Sequence, residues 1–233
     1  MAVTNQLYDQ TAFLFASYAV NLSALKAKLL NASAAYTHGH VTVDQVDNGS
    51  HATVTISIAS PGVVTDTAHG LSAGAPVVFL TSGALPTGLT AGTWYYVLSP
   101  TTNTYQLAAT PSGAAINTSG SQSGTHTRYA SGSYEVYGNA WPVGGPTLSS
   151  VAVAQFNSGD GNNDAAQLTA SNVDVVASGG SIGPAYAAVL YDSSTMKVLA
   201  FISCGPAQSA GDTTDFKIVW NTAGIINWTY PAG

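Results

Sequence analysis

Between residues 59 and 127 the chain is a train of short apolar runs, each cut by a Gly or Pro turn. The runs are Val63-Val64, Val77-Val78-Phe79, Trp94-Tyr95-Tyr96-Val97 and Tyr105-Gln106-Leu107. Runs of β-branched and aromatic residues bounded by Gly, Pro, Asn and Ser read as strands. The stretch holds one carboxylate, Asp66, and no Lys or Arg. It therefore predicts a small β module.

The poverty in charge extends to the whole chain. Hydrophobic residues make up 45% of the 233, enough to build a core, but charged residues only 7%, against roughly 25% in ordinary soluble proteins. The surface must be Ser, Thr, Asn, Gln, Gly and Ala. Such a surface suits a protein largely covered by neighbours, or one that works outside a cell; a secreted adhesin shares the bias. Five basic residues stand against eleven acidic ones, a net charge of −6. Lys26, Lys28, Arg128, Lys197 and Lys217 are scattered, whereas displacing counterions from phosphates takes a basic cluster. Nucleic acid is not an expected partner. Nor is a membrane: no apolar run approaches the ~18 residues of a span, and Met1-Ala2-Val3-Thr4 lacks the basic start of an export signal. The single cysteine, Cys204, has no partner for a disulfide and lies in the apolar run Phe201-Ile202-Ser203-Cys204, where it reads as a small buried hydrophobe.

Residues 5–19 predict a helix with Leu7, Thr11, Leu14, Tyr18 and Leu22 on one face and Phe13 and Phe15 off it. Residues 23–31 fit two periods: Leu22, Leu25 and Leu29 keep helical spacing, while Leu25, Ala27 and Leu29 alternate with Lys26 and Lys28 as in a strand. Asp47-Asn48-Gly49-Ser50-His51 is a turn and a boundary, and a second boundary falls in the Ser/Gly-rich run 117–133. The expected organisation is a discontinuous β domain, residues 1–49 and 130–233, with a β module inserted at 50–129. Later strands are expected at Val151–Phe156, Leu168–Val175, Ala185–Tyr191, Val198–Cys204, Asp215–Trp220 and Ile225–Trp228, with Asp192-Ser193-Ser194 as a hairpin turn. Phe216, Ile218 and Trp220 share a face and predict a core position for Trp220.

Two sets of motifs carry a family resemblance. Thr67-Ala68-His69-Gly70-Leu71, Gly83-Ala84-Leu85-Pro86-Thr87-Gly88-Leu89, Tyr95-Tyr96-Val97 and Asn103-Thr104-Tyr105-Gln106-Leu107-Ala108 resemble a small β module found within virion proteins of tailed bacteriophages. The flanking domain has Ala34-Ala35-Tyr36-Thr37, Tyr134-Glu135-Val136-Tyr137-Gly138 through Gly144-Gly145-Pro146-Thr147-Leu148, and Tyr186-Ala187-Ala188-Val189-Leu190-Tyr191-Asp192. It then has Leu199-Ala200-Phe201-Ile202 and Phe216-Lys217-Ile218-Val219-Trp220 leading to Gly224-Ile225-Ile226. This order resembles a family of small β proteins encoded in phage structural regions, most strongly over residues 185–226. The inserted module and the Ala-rich substitutions depart from the family pattern. The resemblance implies an extended conformation for residues 24–31 and a virion structural role without enzymatic chemistry.

Residues that could carry chemistry are sparse. His38 and His40 share a face if extended, but no cysteine is near, and His51, His69 and His126 are isolated in the sequence. In the turn before Gly70, His69 is expected to hydrogen-bond backbone. Asp160-Gly161-Asn162-Asn163-Asp164 resembles part of a calcium loop without its closing glutamate. There is no Gly-x-Ser-x-Gly elbow, and Gly144-Gly145 and Gly179-Gly180 lack a phosphate-loop ending. Glu135 is the single glutamate, so a paired-glutamate glycosidase is impossible. No catalytic residue, metal or cofactor is expected.

The expectation is a mainly β protein, a sandwich- or barrel-like domain with a short N-terminal helix and an inserted β module. It would act as a capsid decoration protein on the exterior of a phage particle, synthesised in the host cytoplasm. Its partners would be the major capsid protein and copies of itself, a trimer being the state that shell three-fold positions imply. A tail, collar or fibre component is the alternative. So is a carbohydrate-binding adhesin module, which would need Trp94, Tyr95 and Tyr96 exposed. Tyr8, Phe13, Phe15 and Tyr18 are the expected contacts with the shell, since a terminal arm is free to reach a neighbour.

Overall fold

The computed structural model describes residues 4–7, 14–15, 19–156, 165–222 and 224–229, and the fold is mainly β. In chain order, β1 (Thr4–Leu7) and β2 (Leu25–Leu30) precede a single-turn helix, α1 (Val43–Asp47). There follow β3 (Ser50–Ile56), β4 (Val64–Thr65), β5 (Pro76–Thr81), β6 (Trp94–Leu98), β7 (Thr104–Ala108) and β8 (His126–Ala130). Then come β9 (Glu135–Val136), β10 (Ala152–Phe156), β11 (Ala165–Thr169), β12 (Val173–Val176) and β13 (Ile182–Asp192). The last are β14 (Lys197–Ala210), β15 (Asp215–Ile218) and β16 (Ile226–Thr229). The chain divides into two compact units, Asp47–Ser133 and Met1–Val46 with Tyr134–Gly233. The boundaries read from turn residues, 50 and 129, fall three and four residues inside the first unit.

The discontinuous unit is built on an antiparallel sheet of order β1-β14-β13-β2-β9. Alternation in β2 decides its faces. Leu25, Ala27 and Leu29 join Ala188 and Leu190 of β13 and Ala200 and Ile202 of β14 on one side. Against them lie Leu168 of β11, Val173 of β12, Phe216 of β15 and Ile226 of β16, with Trp141 between. The opposite face of the sheet is also buried: Lys28, Leu30, Ala187, Val189, Tyr191 and Phe201 are all shielded from solvent. That explains why β13 and β14 read as near-continuous apolar runs rather than alternating ones. Two further sheets, β10-β11-β16 and β12-β15, complete the unit.

Three expectations fail here. Residues 5–7, the start of the expected helix, lie instead in the edge strand β1, paired with β14, Thr4 opposite Ser203 and Leu7 opposite Ala200. Leu14 and Phe15 are helical, and the rest of the expected helix, with Tyr8, Phe13 and Tyr18, lies outside the described residues. The single strand expected over Leu168–Val175 is two strands in different sheets, parted at Ala170-Ser171-Asn172. Trp220 is half-buried, not a core residue: it leans on the core and its indole N–H donates to the Ser171 carbonyl at 3.0 Å. The largest sealed side chain is instead Trp141, in edge-to-face contact with Phe216 at 5.2 Å between centroids. The extended conformation implied for 24–31 is present as β2.

The unit Asp47–Ser133 is a closed six-stranded barrel, β3-β4-β7-β6-β5-β8, returning to β3. Inward positions alternate along each strand, Val54 and Ile56 on β3, Tyr95 and Val97 on β6, Tyr105 and Leu107 on β7. Closure leaves no open edge in a module this poor in charge. The closing strand is β8, which pairs with both β3 and β5. It lies inside the Ser/Gly-rich run that reads as a boundary in the sequence. Chain entry and exit are adjacent: Ser50 is opposite Ala130, and Asn48 Nδ2 donates to Ser133 Oγ at 3.0 Å. A Cβ on Gly132 would stand 1.9 Å from the Asp47 carbonyl oxygen, so only glycine fits that crossing.

Candidate functional site

The chain turns its charge inward. Seven of the thirteen charged residues described are buried: Lys28, Asp44, Asp47, Asp66, Arg128, Glu135 and Asp192. Of the five basic residues, Lys26 and Lys197 are half-buried and Lys217 is exposed, held between Asp174 at 2.8 Å and Asp215 at 3.0 Å. In the barrel unit the Asp, Glu, Lys and Arg residues number three, Asp47, Asp66 and Arg128, and all are buried. Its surface carries no side chain with a fixed charge.

Two polar clusters hold titratable groups at close range, as a reacting centre would. In the discontinuous unit, Lys28 Nζ meets Glu135 Oε2 at 2.9 Å and lies 5.9 Å from the centre of the Tyr191 ring. Glu135 Oε1 accepts the Gly144 N–H, and the Tyr191 hydroxyl donates to the Gly144 carbonyl at 2.7 Å. Gly145, at φ +75°, passes so close to β2 that a Cβ would lie 1.9 Å from the Ala27 carbonyl oxygen. The Glu-Val…Gly-Gly motif is thus a strap: its glutamate neutralises a buried lysine and its glycines permit contact with the sheet. Asp192, at the end of the Tyr-Asp motif, accepts the Ser194 N–H at 2.8 Å and the Asn21 N–H at 2.8 Å, fixing the β13–β14 turn. In the barrel, Asp66 Oδ2 takes Arg128 Nε at 2.9 Å and Nη2 at 2.8 Å. Arg128 Nη1 reaches the Ser50 carbonyl at 3.0 Å, and the Tyr105 hydroxyl donates to Asp66 at 3.4 Å. Burial, with the nearby Asp66 charge, pushes the Tyr105 phenol well above its ordinary value. Both clusters are sealed and tie strands together. Neither offers a substrate an approach.

The histidines do not converge. His38 and His40 sit at a turn, and burial lowers the His40 pKa. His69 Nδ1 accepts the Leu71 N–H at 2.9 Å, the backbone bond its turn predicts. His126 is buried between Thr81 and Gln122, and burial lowers its pKa. His51 is exposed and stacks on Tyr129, 5.3 Å between centroids. Among the described residues no three His, Cys, Asp or Glu come together as a metal site; Asp160 and Asp164 are not among them. Cys204 is half-buried, less enclosed than its apolar run suggests, and burial raises its pKa.

Of the expected shell contacts, Phe15 is described, and it is half-buried against the core beside Leu14. Thr4–Leu7 are held in the fold by the pairing of β1 with β14 and by the Tyr36 hydroxyl, which donates to the Leu7 carbonyl; Tyr8, Phe13 and Tyr18 lie outside the described residues. The aromatic trio of the adhesin reading is split: Tyr95 points into the barrel core, while Trp94 and Tyr96 lie half-buried on the other face. What sequence reasoning missed is the cleft bounded by Thr53–Ile56 and Gln122–His126. Its residues are ordinary Thr, Ser, Gln, Gly and His with Val54 and Ile56 between, and strand pairing alone brings them together.

No family model, no curated protein and no solved structure matches this chain.

Proposed function

We propose that this is a non-enzymatic structural protein of a tailed-phage particle, a decoration protein that adds to the assembled shell. It binds the major capsid protein and its own copies through uncharged surface. The observation that carries the reading is the inward placement of charge: seven of the thirteen charged side chains described are buried, and the single exposed base is already paired. A surface so depleted in charge is the kind found at the covered centre of an interface. The phage motifs support the same reading. Their glutamate, glycines and tyrosine form the strap over β2, and their apolar runs form β13 and β14. Imaging of intact particles tests it through copy number. Hundreds of copies on the outer shell are expected; a small multiple of three or six at one vertex would move the protein to the tail or collar.

A further inference from the structure

A cleft of about 350 Å³ opens in the barrel wall where two strands part. β3 pairs with β8 from Ser50 to Val54, then changes partner and pairs with β4 at Thr55 and Ile56. The segment ahead of β8 goes the other way. Ser123 bridges to Ala84, and the Thr125 N–H donates to Ser82 Oγ at 3.0 Å. Thr53–Ile56 forms one wall, Gln122–Thr125 the other, and His126 lies at the apex. The opening is braced. Gln122 Nε2 donates to the Ile56 carbonyl at 2.6 Å, Gln122 Oε1 lies 3.0 Å from His126 Nε2, and His126 Nδ1 lies 2.8 Å from Thr81 Oγ1. A pocket whose walls are already tied needs little ordering when a ligand enters.

Its chemistry is neutral and hydroxylic. Among the described residues the exposed hydroxyls of Thr53, Thr55 and Thr125 make no hydrogen bond, and each can both donate and accept. Val54 and Ile56 alternate with Thr53 and Thr55 along this wall and turn into the barrel core. Two pairs along the ladder from Thr53 and Thr127, and so on the same outer face, is the His51–Tyr129 ring stack. The barrel surface has no fixed charge to attract an ion of either sign, since Arg128 is spent on Asp66 and Ser50. A saccharide presents hydroxyls and C–H patches together, and the volume lies at the lower end of small-molecule sites.

We propose that this cleft binds a neutral saccharide unit, with the hydroxyls of Thr53, Thr55 and Thr125 as polar contacts and the His51–Tyr129 stack as the platform beside them. The proposal stands on the barrel alone and does not depend on the virion reading. Saturation-transfer NMR on the full chain tests it, with maltohexaose, chitotetraose and mannohexaose as neutral probes and a sulfated hexasaccharide as the anionic comparison. Transfer to at least one neutral probe at or below about 10 mM is expected. His51→Ala and Thr125→Arg, both at exposed positions, should each weaken binding about tenfold or more while circular dichroism stays unchanged. If either variant misfolds, Thr53→Val keeps the branched shape and removes one hydroxyl, and the same loss is expected. No transfer to any neutral probe, equal binding by the folded variants, or tighter binding of the sulfated probe would overturn the assignment.

Discussion

The barrel and the discontinuous domain each bury an ion pair, and the two pairs solve different problems. Arg128–Asp66 lies in a barrel closed by its own strand ladder. It links positions 62 residues apart, and Arg128 also grips Ser50 beside the entry point of the chain. Lys28–Glu135 lies on the second buried face of an open sheet, where Glu135 also holds the strap at Gly144. The barrel thereby hides all its fixed charge. The domain still shows some, at Lys26, Asp174, Lys197, Asp212, Asp215 and Lys217. The lesson is that one chain can use buried ion pairs to close loops while keeping its exterior neutral. Removing one partner of such a pair strands a buried charge, which costs more than the intact pair contributes.

The largest effect should come from breaking a pair on one side only. Arg128→Met leaves the Asp66 carboxylate buried and unpartnered and should cost roughly 3–5 kcal/mol. Glu135→Leu should cost a similar amount by stranding Lys28. Urea titration followed by amide NMR separates the two: each variant should lower the midpoint of its own unit first. The double replacement Arg128→Met with Asp66→Leu should recover most of the loss, because neither charge is then stranded. A double variant as unstable as the single one would mean that the pair adds attraction beyond cancelling its own burial.

Next come the tryptophans of the discontinuous unit. Trp141→Ala removes a sealed ring from the face of Phe216 and should cost about 3–5 kcal/mol. Trp220→Ala, half-exposed and outside β15, should cost about 1–2 kcal/mol. Equal losses would show that Trp220 is enclosed more than its position indicates.

Acid should act on the barrel through His126. Burial holds its folded-state pKa below the ordinary 6.5, so the unfolded chain takes up the proton first. Stability from this group is full above about pH 6.5 and is lost as pH falls toward the folded-state value. His126→Gln should flatten that part of the pH dependence, read as the urea midpoint of the barrel between pH 7.5 and 5. An unchanged slope in the variant would assign the acid sensitivity elsewhere. The smallest effect is expected at the exposed Lys217 trio. Lys217→Ala should leave the melting temperature of both units unchanged within error, since exposed pairs add little.

Much of this fold can be read from the chain, and the failures share a cause. The apolar runs of the 59–127 stretch fall on β4, β5, β6 and β7 because Gly and Pro turns mark their ends. β8 escapes notice: His126-Thr127-Arg128-Tyr129-Ala130 has little apolar character, since two of its inward positions are filled by a histidine and an arginine with partners elsewhere. The same holds for Lys28, which alternates like a solvent-facing residue in β2 yet is sealed by Glu135, 107 positions away. The N-terminal segment fits helical spacing, but the open edge of β14 provides backbone partners for Thr4–Leu7 that local periodicity cannot register. The cleft is invisible for a related reason: it exists because β3 changes partners at Thr55, a fact of pairing and not of residue type.

In the proposed shell role this protein would attach through a neutral surface, most of its described charge being spent inside. Attachment to particles stripped of it, measured from about 50 mM to about 500 mM salt, tests that directly, because ionic contacts between exposed groups are screened over this range and apolar ones are not. The dissociation constant is expected to change by less than about threefold. A loss of about tenfold or more would place an ionic contact at the interface and contradict it.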